Sequence, residues 1–168
     1  MVTWVLKMAL RYKSILSDER AADALPMRFT VASIVLMIVV LLCASAISTM
    51  LENERIRDAG AVLSRIDSNA KMMSAQGEGS RVTIDINIPA KVTLVLGGLP
   101  GHESKWPEDA CNHYIRAGSR QIIGESTASY SNGGLNGTMV LGPGQHRITL
   151  ESVKRTSDNR IFVKVYES

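Results

Sequence analysis

The chain has 168 residues, 45% of them apolar, with a formal net charge of only +3. That length holds one small folded domain beside a helical segment, not two. The charge divides as +2 over residues 1–28 and +1 over the rest, and the eight aromatics do not interleave with a basic run, so nucleic acid is not an expected partner.

Residues 1–28 form a basic tail carrying Lys7, Arg11, Lys13, Arg20 and Arg28. Within it, Trp4, Leu6, Leu10, Ile15 and Leu16 among the cations read either as an amphipathic segment on the inner leaflet or as the product of a start placed ahead of Met8. Residues 29–51 follow with no charge at all, centred on Ile34-Val35-Leu36-Met37-Ile38-Val39-Val40-Leu41-Leu42. A helix of that length reaches about 34 Å, enough to span a bilayer core. It exceeds the apolar core of a secretory signal peptide, although Ala44-Ser45-Ala46 resembles a small-residue cleavage site. The cations ahead of the span favour a cytoplasmic N-terminus and an external C-terminal part.

Residues 52–76 continue the helix as an amphipathic stalk. Ile56, Ala59, Leu63, Ile66, Ala70 and Met73 recur at alternating spacings of three and four, a heptad seam. Two uses of the seam stand: packing on the chain's own domain, or assembly against neighbouring subunits. Gln76-Gly77-Glu78-Gly79 ends the helix.

Residues 77–168 read as an external β-sandwich. Twelve of thirteen Gly and four of five Pro lie beyond Gln76 and punctuate strands. Val82, Ile84, Ile86 and Ile88 alternate with polar residues, and further strands are expected over 92–96, 113–116, 121–125, 138–141, 146–153 and 161–166, with 131–137 a Gly/Asn loop. The inward set is expected to include Val82, Ile84, Ile86, Leu94, Leu96, Ile148, Leu150, Phe162 and Val163 or Val165, in a domain that folds without the helix. The fold class is α+β: a long N-terminal transmembrane and stalk helix, then a small antiparallel sandwich.

No catalytic constellation emerges, and no enzyme is expected. His102, His113 and His146 lack ligand spacing, and Cys111-x-His113 has no second pair, so no metal or cofactor is expected. Cys43 lies in the span and Cys111 in the sandwich, which excludes a disulfide framework. Neither a nucleophile elbow nor a phosphate loop is present. Glu103, Glu108 and Asp109 read as a solvated loop. Asn136-Gly137-Thr138 is an N-glycosylation acceptor tripeptide, so the external domain is expected to be a glycoprotein.

The layout of charged tail, apolar helix, amphipathic stalk and β-rich domain resembles type IV pilin-like proteins, most nearly the archaeal branch that includes archaellins. Arg20-Ala21-Ala22-Asp23 is similar to that family's prepilin-peptidase site, at the end of a class III signal peptide. The resemblance implies a cut between Ala21 and Ala22, with Asp23 pairing the new N-terminus. It also implies membrane and pilin-like subunits as partners, and a place in a surface filament or a related secretion apparatus. Arg28 departs from the pattern, since a charge buried unpaired in a filament core is costly while at a membrane edge it snorkels. The alternative is an uncleaved single-pass anchor whose sandwich contacts cell-surface-layer proteins in a stator-like role.

Overall fold

The computed structural model describes the backbone of residues 19–102 and 105–168, and the side chains from residue 27 onward within those ranges. The amphipathic segment 1–17 and the side chains of Arg20, Ala21, Ala22 and Asp23 lie outside the described residues.

One helix, α1 (Glu19–Gln76), takes in the span and the stalk without a break. Its start lies ten residues ahead of the expected Phe29. Its end falls where the glycines predict. Gly77 adopts φ +92° and its N–H donates to the Met73 carbonyl at 3.2 Å, a left-handed cap that a side chain would strain.

Among the described residues eight strands follow: β1 (Arg81–Ile88), β2 (Val92–Leu96), β3 (Asn112–Ala117), β4 (Arg120–Glu125), β5 (Tyr130–Asn132), β6 (Met139–Leu141), β7 (Gly144–Lys154) and β8 (Ile161–Glu167). They form two four-stranded sheets in the orders β1-β7-β8-β5 and β4-β3-β2-β6. The pairing is antiparallel except between β5 and β8, which run parallel. The α+β fold of a long helix and an antiparallel-rich sandwich is thus as expected, with β5–β8 the one parallel pair among the described strands. Strand β5 is also an element where a loop was expected. A parallel neighbour requires a crossover, and β6 and β7 intervene between β5 and β8 to supply it.

The chain divides into two compact units, Met1–Thr49 and Met50–Ser168. In the first, the described side chains of residues 27–49 are exposed throughout, including Leu36 at 64% and Leu41 at 63%. Among the described residues one helix is thus long and apolar enough to cross a membrane, and its apolar window is 0% buried.

In the second unit, the last turns of α1 and both sheets build one core. Ala59, Leu63, Ile66, Ala70 and Met73 join Ile84, Ile86 and Ile88 of β1, Leu94 and Leu96 of β2, Ile148 and Leu150 of β7, and Val163 and Val165 of β8. Val82 and Ile56 flank this cluster, half-buried. Phe162 is buried but outside it, because alternation sends it to the face opposite Val163 and Val165. There it meets Trp106 at 5.4 Å between ring centroids, with the Arg155 guanidinium 4.8 Å from the Trp106 ring. Gly97, just after β2, is required twice over. It has φ +87°, and a Cβ would stand 2.8 Å from the Tyr130 carbonyl oxygen.

Candidate functional site

The seam settles first. Ala59, Ile66, Ala70 and Met73 are 0% exposed and Leu63 is 7% exposed, all against the chain's own sheets. The seam is therefore a core element. Of the two expected uses, packing on the chain's own domain is the one this burial matches from Ala59 to Met73, since a buried side chain offers no area to a second molecule.

Polar contacts fasten the same helix to the sheets. Lys71 pairs with Asp67 at 2.7 Å, one turn along the helix. Asp67 also accepts from the Tyr130 hydroxyl at 2.7 Å and the Ser126 hydroxyl at 2.5 Å, while Ser126 Oγ accepts from the Ala128 N–H at 3.0 Å. Arg65 donates to the Asp85 carbonyl in β1 at 3.2 Å. Arg120, opening β4, donates to Asn53 Oδ1 at 2.8 Å.

The electrostatics of this junction follow from its burial. Desolvation alone raises the Asp67 carboxyl, but hydrogen bonds from Lys71, Ser126 and Tyr130 outweigh it and hold the pKa below the usual carboxylate value. Burial raises the Tyr130 phenol, which stays a donor. His113 is pushed down, chiefly by burial, against the attraction of Asp67. Its ring meets Tyr130 edge-on at 6.2 Å, and its buried Nδ1 has no hydrogen-bond partner. Gly124, its register partner on β4, leaves the room it needs, since a Cβ there would stand 2.4 Å from Nε2.

Chemically this arrangement is a latch. The Ser126 hydroxyl is committed to a carboxylate with no imidazole bridging them, and the one adjacent histidine is neutral and sealed in. Among the described residues no group of three His, Cys, Asp or Glu is placed to hold a metal. Cys43 and Cys111 are free thiols. His146 is tied to Glu167 at 2.6 Å and to the Gly142 carbonyl at 2.9 Å.

A pH dependence follows. A folded pKa below the unfolded one gives stability that is complete above the unfolded value and lost as pH falls through the folded value. Stability should hold above about pH 6.5, decline as His113 is forced to charge, and decline again below about pH 4 as Asp67 protonates. Thermal melts of wild type, His113→Gln and Asp67→Asn over this range check it. The first variant should lack the upper step and the second should show a smaller lower one. Identical profiles for all three would remove both assignments.

The remaining sequence candidates scatter. The backbone of Ala21, Ala22 and Asp23 lies in α1. Asn136 is exposed in the turn between β5 and β6, where its N–H donates to Asn132 Oδ1 at 3.2 Å. The structure brings none of these to the seam. Sequence reasoning missed the latch. Its one local signal is the Asp67–Lys71 spacing beside the seam, while Ser126 and Tyr130 carry none.

Set against known proteins, the chain matches no family model, no curated protein and no solved structure. Its layout, a long apolar N-terminal helix followed by a β-sheet domain, fits a pilin-like architecture.

Proposed function

We propose that this chain is a non-enzymatic, pilin-like membrane protein, a subunit or accessory minor pilin of a surface filament or related secretion apparatus. Its N-terminus faces the cytoplasm and residues 77–168 lie outside the cell. One observation carries the reading: the uncharged stretch 29–51 is exposed along its whole length, yet belongs to the same helix whose end is core. An apolar surface of that extent is stable only against lipid or other apolar helices. The work is physical: the helix holds the chain in the membrane or bundles with others, and the sandwich makes contacts outside. A prepilin-type peptidase is the expected processing partner, cutting between Ala21 and Ala22.

The stator-like alternative, an uncleaved anchor gripping the surface layer, has one observation in its favour. With the seam buried, assembly through the stalk loses its most apolar face, and exposed Arg28 at the head of the span suits a headgroup.

The experiment is N-terminal sequencing of the native protein, combined with protease treatment of intact spheroplasts. A mature start at Ala22 supports the filament reading, and a retained tail supports the anchor. Protease should remove the sandwich in both cases. A fully protected chain would overturn the membrane topology itself.

A further inference from the structure

We infer that the β3–β4 end of the sandwich rests on the headgroup layer of the membrane that holds α1, with Arg120, Arg116 and Lys91 facing lipid phosphates. This rests on the membrane reading above and gives a partner to a surface that reading leaves unused.

The placement comes from contacts within the second unit. Met50 and Leu51 close the uncharged stretch and are 67% and 46% exposed. Two residues on, Asn53 accepts the hydrogen bond of Arg120. At 1.5 Å per residue, Asn53 stands about 3 Å along the helix from Leu51. The polar layer on each side of a bilayer core is about 5–7 Å thick. Arg120 is thus held at headgroup depth by its own bond to the helix.

Strand β4 then climbs away from that level. Ser126, just beyond its end, reaches Asp67, fourteen positions after Asn53. The exposed tip Gly118-Ser119, between β3 and β4, is therefore the end of this hairpin nearest Leu51. Val92 pairs with Ala117, which brings the Lys91 turn to the same end.

The charge at this end is cationic. Lys91 and Arg116 are exposed, and neither joins an ion pair among the described residues. On the helix at this level Glu52, Glu54 and Asp58 stand against Arg55 and Arg57, a net charge of −1 that Lys91, Arg116 and Arg120 outweigh. The acid of β4, Glu125, is at its far end. Above the cations, Ile122 and Ile123 are 46% and 55% exposed on β4, an apolar pair at the outer boundary of the layer. Cations at the phosphates with apolar side chains beside them is the pattern that an interfacial surface presents to lipid.

The test uses the full chain in nanodiscs of mixed phosphatidylglycerol and phosphatidylcholine that carry a headgroup spin label. Cys43→Ser and Cys111→Ser clear the native thiols, and a fluorophore is attached through Ser119→Cys. A control fluorophore goes to Ser157→Cys in the β7–β8 turn, at the end where Gly79, past the helix terminus, bonds Ser152. The Ser119 label should be quenched roughly twofold more than the control, with the difference shrinking at high salt. The double change Lys91→Glu with Arg116→Glu leaves the Arg120–Asn53 bond in place and should remove the salt-sensitive part of the difference, with circular dichroism unchanged. Equal quenching of the two labels in a chain that stays with the disc overturns the docking and leaves the membrane reading standing. A salt-sensitive difference that persists in the folded double variant also overturns it, since the cations then do not hold the contact. A chain that elutes apart from the discs overturns both.

Discussion

A fragment beginning at Gly77 should remain unfolded, while one beginning at Met50 should fold and melt cooperatively. The shorter fragment loses Ala59, Leu63, Ile66, Ala70 and Met73 from the core. The three large side chains alone are worth about 1.5–3 kcal/mol each in burial. Their sum rivals the entire stability of a typical small domain, about 5–15 kcal/mol. The loss also leaves the Ser126 and Tyr130 hydroxyls without the Asp67 carboxylate that satisfies them. Circular dichroism and calorimetry on the two fragments decide it. A cooperative β-type melt from the Gly77 fragment would show the helix to be dispensable and the core drawn here to be wrong.

Within the intact chain, Ile66→Ala should cost about 2–5 kcal/mol, because the side chain is fully buried among both sheets and little can collapse into the space. Ser64→Ala, two positions away on the exposed face, should stay within about 0.5 kcal/mol. Urea unfolding gives both numbers. A small effect at Ile66 would return the seam to solvent and revive its use between subunits.

The parts of this fold that sequence made legible are those governed by a period. The seam from Ile56 to Met73 announces one apolar helix face, and β1 announces one apolar strand face, because burial on one side writes a repeat into the chain. A period does not say what the face meets. Hence sequence leaves the seam open between two uses, and its place in the core is what puts the independent folding of the sandwich to the test of the Gly77 fragment. The same limit misplaced Phe162, whose apolar character is spent under Trp106 and Arg155 on the outer side of the sheet. Strand β5 was hidden for another reason. It has three residues, borders a Gly/Asn-rich turn, and takes its register from β8, some thirty positions away. The latch was invisible because Asp67, Ser126 and Tyr130 converge only through the tertiary fold. Asn136 needed no fold to be found, since a tripeptide motif is local.

The order of strands in the first sheet also governs when this domain can exist. Strand β1 emerges immediately after the helix, yet its ladder partner is β7, whose residues begin at Gly144. The other neighbour of β7 is β8, later still. At synthesis rates of roughly 5–20 residues per second, β1 and the helix end wait several seconds with their apolar faces uncovered. For a chain delivered through a membrane, that interval falls during export. If the domain is exported as proposed, the long pairing distance would keep the segment threadable, and closure of the sheet would then be a ratchet that opposes its return.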